Sequence, residues 1–303
     1  MPSSLELSKN MMKGLTNSDA DSLYEAIRDV KKNPYVAAKV KELGLTDEDI
    51  LHYLPIIMTY GEEMVAKETC PGVDHCSLPS PHVISDLVPE NGILTRQINW
   101  CPCYQKLLNV QNAYIYHDFD DAYLRLEGSS KKGLANEKAI QIALLQARKE
   151  PEKHWVFFTD MDHITTKYLV AYTNKVGLKG AKIAYINLPK RVEELKQLSR
   201  LKTGEFDEML DKLKNADLLV LDDFGSEYKS DYTRDAILMP VLRERSRKNL
   251  QTVFVSTFER KDILPLYSGS TSSSKTAAKE LALILENNLF KSIRIEAGIE
   301  EKF

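Results

Sequence analysis

The stretch LLVLDDFGSE, residues 218–227, decides the fold class of this chain. Its apolar run predicts a strand buried on both faces, as in a parallel sheet, and Asp222 and Asp223 stand at the carboxyl end. Ligands bind at that edge in open α/β sheets, so the two carboxylates are candidate functional groups. The alternative is a buried strand that ends in a solvated acidic turn. The stretch therefore predicts an α/β fold and leaves the role of its acids open.

The chain around this stretch alternates predicted strands with predicted helices. The strands are WVFF (155–158), AKIAYINL (181–188) and QTVFVSTF (251–258), and the helices are residues 166–176, KRVEELKQLSRL (190–201) and DAILMPVLRERSRK (235–248). Such alternation predicts a mostly parallel sheet covered by helices on both faces. We expect this α/β domain to span residues 151–303.

A phosphate-binding loop is missing where a nucleotide-binding fold would carry one. That loop reads G-x-x-x-x-G-K-[ST], because glycines let backbone N–H groups approach the phosphates and the lysine neutralises them. Residues 159–166 read TDMDHITT, with no glycine and with Thr165 in the place of the lysine. Thr166 matches the Mg²⁺-binding hydroxyl, but Asp160 and Asp162 would repel a triphosphate. We therefore expect that ordinary ATP binding by this loop is lost.

The acids have defined roles if the domain is nevertheless an ATPase. Asp222 would hold the hydration shell of Mg²⁺, and Asp223 would polarise the attacking water. Thr257 follows the next strand, where such ATPases place a polar sensor residue. Thr165 and Thr166 complete the candidate nucleotide contacts. The alternative, a scaffold that no longer binds nucleotide, is favoured by the altered loop.

The four cysteines all fall in one short window. In a compartment that keeps thiols reduced, such clustering indicates metal rather than disulfides. A structural zinc site needs about four thiolate or imidazole ligands, and a turn-rich segment with few apolar residues needs a staple. The alternative is a set of reduced cysteines without metal. The candidate ligands are Cys70, His75, Cys76, His82, Cys101 and Cys103.

The segments differ in composition, and this difference predicts the domains. Residues 1–66 read as helices, with TDEDI at 46–50 as a helix start, and residues 70–105 are rich in proline and glycine turns and include the predicted strand ILTRQINW. From 108 to about 135 the chain reads as a polar linker that ends in EGSSKKG. The predicted domains are a helical, zinc-binding domain at 1–107, a linker and a helix at 108–150, and the α/β domain at 151–303.

Charge and hydropathy limit the compartment and the partners. The net charge is −3, so no global basic field indicates nucleic acid. The chain has no run of about 18 apolar residues, and its start does not read as a secretory signal. We therefore expect a cytoplasmic protein with no membrane partner.

A basic run ends the helix before the strand QTVFVSTF. It consists of Arg243, Arg245, Arg247 and Lys248. These side chains could bind the phosphates of single-stranded DNA. Such a run is more often a solvated face that complements the helix dipole, and we favour that interpretation.

The order of these parts resembles the DnaI-type primosomal helicase loaders, which are AAA+ ATPases. In that family a helical, zinc-bearing N-terminal domain docks on the replicative hexameric helicase, and the AAA+ domain binds ATP and single-stranded DNA. The resemblance covers most of the chain and rests on WVFF, LLVLDDFGSE, YTRDAILMPVLRERS and TVFVSTF. It implies an AAA+-like P-loop NTPase fold, ATP with Mg²⁺, and the helicase hexamer and other primosome proteins as partners.

The resemblance also implies a set of zinc ligands. The family pattern is a cysteine, a second cysteine shortly after it, a histidine before an apolar pair, and then Cys-Pro. In this chain the pattern falls on Cys70, Cys76, His82 and Cys101, which leaves Cys103 and His75 spare.

Departures from the family pattern concern the nucleotide. The phosphate loop is gone, Thr257 stands where asparagine is usual, and Leu283 stands where a late helix usually carries an arginine. Arg243 or Arg245 lies in the region of an arginine finger that would reach a neighbouring subunit, but without a γ-phosphate it has nothing to stabilise. Together the departures predict a domain that no longer hydrolyses ATP.

Three functions follow from these observations. The favoured one is a loader or adaptor that grips the replicative helicase through residues 1–107 and assists primosome assembly, with impaired or absent ATP hydrolysis. The second is an active ATP-dependent loader with a non-standard phosphate loop. The third is a regulator that competes with a true loader.

Overall fold

The computed structural model describes residues 17–126, 135–150 and 152–296. The chain divides into two compact units, Met1–Lys106 and Leu107–Phe303. Over the described residues, no helix is both long and apolar enough to cross a membrane.

In the described part of the first unit, from residue 17 onward, four α-helices are followed by an antiparallel hairpin. The helices are α1 Asn17–Lys32, α2 Pro34–Leu43, α3 Asp47–His52 and α4 Leu54–Glu68, and the strands are β1 Val83–Glu90 and β2 Ile93–Trp100. The predicted helix start at TDEDI is confirmed, because Thr46 and Asp49 form a capping box. The predicted strand ILTRQINW is confirmed as β2. Helix α5, Pro102–Ala113, begins at the end of this unit.

A buried carboxylate joins α4 to the hairpin. Glu63 is fully buried, and its Oε2 accepts hydrogen bonds from the backbone N–H and the hydroxyl of Ser85, at 2.7 and 2.6 Å. Arg96 pairs with its Oε1 at 2.6 Å. Because the buried charge is both paired and hydrogen-bonded, it fixes the hairpin on the helix that leads to the cysteines.

The second unit is built on a parallel sheet of six strands in the order β3-β5-β6-β7-β4-β8. The strands are β3 Tyr114–His117, β4 Trp155–Asp160, β5 Ile183–Asn187, β6 Leu218–Asp222, β7 Gln251–Ser256 and β8 Leu289–Ile295. Strands β4 and β7 are buried at every residue. The predicted α/β fold with a parallel sheet is therefore confirmed.

Helices cover this sheet. They are α6 Ala135–Ala147, α7 Thr165–Gly177, α8 Leu188–Leu201, α9 Glu205–Asn215, α10 Met239–Arg247, α11 Arg260–Leu266 and α12 Ser272–Asn288. A π-helical turn, Thr233–Leu238, precedes α10. Apolar side chains of α8 to α12 pack with Trp155, Phe157 and Phe254 in one core.

Residues 108–126, which the sequence predicted as part of a linker, are structured. Helix α5 runs to Ala113, and β3 follows directly as an edge strand paired with β5. The hydroxyls of Tyr114 and Thr173 lie 2.6 Å apart, which ties β3 to α7. The strand was missed because it has four residues and no turn residue separates it from the helix. The EGSSKKG segment lies outside the described residues.

Candidate functional site

Four polar side chains lie at the carboxyl edge of the sheet. Asp160, Asn187, Asp222 and Ser256 are the last residues of β4, β5, β6 and β7. These strands are neighbours in the order β5-β6-β7-β4, and parallel strands end at the same edge. The structure therefore brings the predicted acid strand next to the altered phosphate loop.

The carboxylate of Asp160, the last residue of β4, accepts hydrogen bonds from the first residue of α7, across the loop that joins the two elements. Asp160 is 1% exposed, and the backbone N–H of Thr165 donates to its Oδ2 at 2.7 Å. The Thr165 hydroxyl donates to the same oxygen. Thr165 is the first residue of α7, and the amino end of a helix is the place where a phosphate-binding loop holds its phosphate. Asp160 thus supplies an internal anion at that place.

Asp222, the first acid of the decisive stretch, is held inside the edge. The Tyr185 hydroxyl donates to its Oδ2 at 3.0 Å, and the backbone N–H of Asp223 donates to its Oδ1 at 3.1 Å. Burial, with help from the charges of Asp223 and Asp160, raises the pKa of Asp222 to about 6. This carboxyl therefore holds its proton to a higher pH than an ordinary aspartate does.

Asp223 is tied to the neighbouring elements. The Asn187 amide donates to its Oδ2 at 2.6 Å, and its Oδ1 lies 3.7 Å from His163 Nδ1. Asp223 and His163 both have a left-handed backbone, with φ of 56° and 54°. Sequence reasoning missed Asn187 and Tyr185 as parts of this site. The only signal for them was their place near the end of the strand AKIAYINL.

Ser256, the last residue of β7, contacts the turn that follows Asp222 and Asp223. Its hydroxyl donates to the backbone carbonyl of Phe224 at 2.6 Å and accepts from the N–H of Phe258 at 3.0 Å. Thr257, the predicted sensor residue, follows the strand and is half-buried. Thr166, the predicted Mg²⁺-binding hydroxyl, lies next to Tyr185.

Arg245, a candidate nucleotide contact as an arginine finger, does not lie at the edge that carries the acids. The side chain is fully buried at the amino end of the strands, opposite the acids. Its guanidinium donates to the carbonyls of Leu213, Ala216 and Gln251 and to the Thr252 hydroxyl, at 2.5 to 2.9 Å. Four of the five N–H donors of this planar group are used here, and its full burial keeps it from reaching another subunit.

The rest of the basic run is paired with acids. Arg243 lies 2.5 Å from Glu280, and Arg247 and Lys248 lie 2.6 and 2.9 Å from Glu244. These pairs support the interpretation of the run as a solvated face. They give no support to a phosphate-binding groove.

The cysteine region brings one pair of sulfurs together. Cys70 Sγ and Cys103 Sγ lie 3.7 Å apart. The backbone N–H of His82 donates to Cys76 Sγ at 3.2 Å, and His82 Nδ1 is buried without a hydrogen-bond partner. Among the described residues, no group of three or more His, Cys, Asp or Glu side chains stands where it could hold a metal ion. The predicted zinc ligands, Cys70, Cys76, His82 and Cys101, therefore do not lie together around one point in this structure.

Comparison with known proteins supports one relationship. The chain is 28% identical to the replicative helicase loader DnaI of Bacillus subtilis (strain 168) over 137 residues. The resemblance to the DnaI-type loaders is confirmed. The match spans 45% of this chain and 43% of DnaI, so the chain covers less than half the length of that relative. No protein-family model matches the chain.

Solved structures of replication proteins are also similar. A crystal structure of DnaI is 20% identical, with a TM-score of 0.47, over 63% of this chain and 98% of that chain. A putative primosome component from Streptococcus pyogenes serotype M3 is 16% identical, with a TM-score of 0.45, over 63% and 96%. The DnaC helicase loader is 18% identical, with a TM-score of 0.42, over 58% and 100%. Likenesses this weak carry no conclusion about what the chain binds.

Proposed function

We propose that this chain is a DNA replication protein of the helicase-loader type whose AAA+-like domain works without binding nucleotide. The similarity to DnaI supports the loader part of the proposal. The observation that carries the rest is the Asp160 carboxylate, which takes the first backbone N–H of α7 for itself.

The charges at the edge explain why a nucleotide is disfavoured. A triphosphate at α7 would have to displace Asp160, and Thr165 stands in place of the neutralising lysine. Each pair of like charges about 4 Å apart costs about 4 kcal/mol at an effective dielectric constant of 20. A phosphate beside Asp160 would meet this cost without a lysine to offset it.

Calorimetric titration of the full chain with MgATP tests this proposal. We expect no binding at millimolar nucleotide. Micromolar binding that is abolished by Asp222→Ala would instead support an active loader with a non-standard loop.

The proposed partner is the replicative helicase hexamer, held by the first unit. Support comes from the similarity to DnaI together with the helical character of residues 17–68. Pull-down with the hexamer, followed by an unwinding assay on single-stranded DNA, separates the alternatives. A loader increases unwinding, whereas a competing regulator binds the hexamer and reduces loading by a true loader.

We also propose that the second unit contacts single-stranded DNA through an aromatic and basic surface. Tyr228 is 74% exposed and Phe258 37% exposed. Lys196 Nζ lies 4.4 Å from the centre of the Tyr228 ring, and Lys229 Nζ lies 5.4 Å from that of Phe258. Aromatic faces that stack bases, beside cations that meet the backbone, are the common means of binding single strands.

Zinc in the first unit is the last part of the proposal. The donor chemistry is suitable, because four free cysteines and His82 lie in a segment with little core of its own. The buried His82 Nδ1 without a partner is the kind of atom that a metal ion would satisfy. When bound, zinc would staple this segment, and metal analysis of the purified protein tests it.

A further inference from the structure

A cavity opens at the amino ends of the strands, on the edge of the sheet opposite to the acids. Its volume is about 190 Å³, which is room for about six water molecules at about 30 Å³ each. Its walls come from the segment between α6 and β4, from the end of α7 and from the residues at the starts of β5, β6 and β7. The cavity therefore lies within the second unit and is separate from the edge that carries Asp160 and Asp222.

The walls of this cavity are partly apolar and partly polar. Val176, Ala181 and Leu218 supply buried apolar side chains. Arg148, which is exposed, and His154, which is half-buried, supply polar ones. Sites for small molecules combine apolar walls with a few placed polar groups in this way. The composition of the walls thus fits a ligand that has one polar end and one apolar end.

Two polar atoms at the cavity have no hydrogen-bond partner among the described residues. Tyr172 is 5% exposed, and its hydroxyl is one of them. Its polar neighbours are Arg148 and Gln251, which both line the cavity, but the Gln251 amide donates to the carbonyl of Leu144 at 3.0 Å. The second atom is Nε2 of His154. Since buried polar atoms are nearly always hydrogen-bonded, two such atoms beside one cavity indicate that a partner binds there.

The charges around the cavity favour an anion as that partner. Burial raises the pKa of the Tyr172 hydroxyl, so this group stays protonated at neutral pH and can donate. Asp217 also lines the cavity, but its Oδ2 accepts the backbone N–H of Lys182 at 2.7 Å. Burial lowers the pKa of Arg245 to about 9, and the charge of Asp217 acts in the opposite direction. Asp217 therefore balances Arg245, and the charge of Arg148 is left for a ligand.

We propose that this cavity binds a small organic carboxylate. The carboxylate group accepts hydrogen bonds from the Tyr172 hydroxyl, the Arg148 guanidinium and Nε2–H of His154, and a body of a few carbons lies against the apolar walls. Inorganic phosphate could meet the same donors, but it has no apolar part to cover those walls. The inference goes beyond the proposed function, because neither the helicase nor a nucleotide takes part in it.

An NMR titration of the full chain with sodium butyrate, whose anion has six non-hydrogen atoms, tests the proposal. We expect saturable shifts of the backbone amides of Asn249 and Leu250, which line the cavity, with a Kd on the order of 1 mM. Arg148→Gln should weaken binding about 10-fold or more, because it removes a charged donor. Tyr172→Phe should weaken it about 2- to 10-fold, because it removes a neutral donor.

The matched control for charge is Lys149→Gln. Lys149 is exposed and directly follows Arg148, but it does not line the cavity, so butyrate affinity should not change. Tyr172→Phe should keep the Tm of the wild type, since the hydroxyl makes no hydrogen bond whose loss could unfold the protein. A fall in affinity at an unchanged Tm is therefore a loss of ligand contact.

Three results would overturn the proposal. The first is the absence of saturable shifts with butyrate. The second is an affinity that falls equally in Arg148→Gln and Lys149→Gln, or in neither Arg148→Gln nor Tyr172→Phe, since butyrate would then bind by general charge or elsewhere. The third is tighter binding of inorganic phosphate than of butyrate in a parallel titration, which would show that the apolar walls do not select the ligand. Each of these results leaves the proposed helicase binding untouched.

Discussion

At the residue scale, Asp160 decides the state of the anion site at α7. Asp160→Ala removes the bonds that Thr165 makes to the carboxylate and should cost about 1 to 2 kcal/mol of stability. The freed N–H and the positive helix end should then bind inorganic phosphate. We expect phosphate to raise the Tm of Asp160→Ala but not of the wild type. Thermal unfolding in phosphate and in chloride, at equal ionic strength, measures this.

The matched control for that experiment is Asp162→Ala. Asp162 is exposed two residues further along the same loop. Its removal changes the charge of the loop equally but leaves Asp160 on the helix. An equal response to phosphate in both variants would mean that loop charge, and not occupation of the helix end by Asp160, keeps anions out.

Asp222 gives the site a pH dependence. Since burial raises its pKa from the ordinary value to about 6, the folded state holds the proton more tightly than the unfolded state does. Ionised Asp222 therefore destabilises the protein above about pH 6, and the effect disappears below about pH 4. Asp222→Asn should stabilise the protein by about 1 to 3 kcal/mol at pH 7.5 and by nothing at pH 4.

Denaturant titration of wild type and variant at several pH values measures that difference. Comparing the two proteins at each pH cancels the titration of the other groups. A variant that is no more stable than the wild type at pH 7.5 would show that the surroundings of Asp222 do not disfavour its ionised form. Such a result would favour a carboxylate that is ready to hold Mg²⁺.

At the scale of elements, the sheet was predictable, while β3 and Arg245 were not. Strands β6 and β7 are apolar runs between helices, which is the usual sequence form of a strand buried on both faces of a parallel sheet. Arg245 stands among other charges in DAILMPVLRERSRK, where helical periodicity predicts a solvated face. Its burial depends on carbonyls at Leu213 and Ala216, which are far away in sequence. The absence of glycines from the loop after β4 was also visible in the sequence. The hydrogen bonds from Thr165, the first residue of α7, to the Asp160 carboxylate were not.

Arg245 should be a structural clamp between α10 and the amino ends of β6 and β7. Arg245→Met keeps the aliphatic bulk but leaves four buried acceptors without a donor. We expect a loss of about 3 kcal/mol or more in the free energy of unfolding. Arg243→Met is the control, because it removes an exposed ion pair worth about 0 to 1 kcal/mol. Losses of similar size in both variants would contradict the clamp.

At the scale of the whole molecule, the two proposed binding surfaces can be separated by their ligands. Tyr228→Ala should weaken binding of the full chain to single-stranded oligonucleotides about 5- to 100-fold, since one stacked base contributes about 1 to 3 kcal/mol. Fluorescence anisotropy at fixed salt measures the change. Leu283→Ala, which removes an exposed apolar side chain from α12, is the control. Unchanged affinity in Tyr228→Ala would place any DNA contact elsewhere.

Capture of the helicase hexamer should not depend on nucleotide. In an active AAA+ loader, ATP binding changes the state of the α/β domain, and partner affinity would follow the nucleotide. Under the proposed function, Asp160 occupies the helix end that a phosphate would bind, so we expect no such change. We expect equal capture by the full chain with MgATP, with MgADP and without nucleotide, and by the double variant Asp222→Ala, Asp223→Ala. Since the hexamer binds nucleotide itself, a helicase that is nucleotide-free and one that is saturated must both be compared. Capture that rises with MgATP in the wild type and falls in the double variant would show that the acid strand still acts through a bound nucleotide.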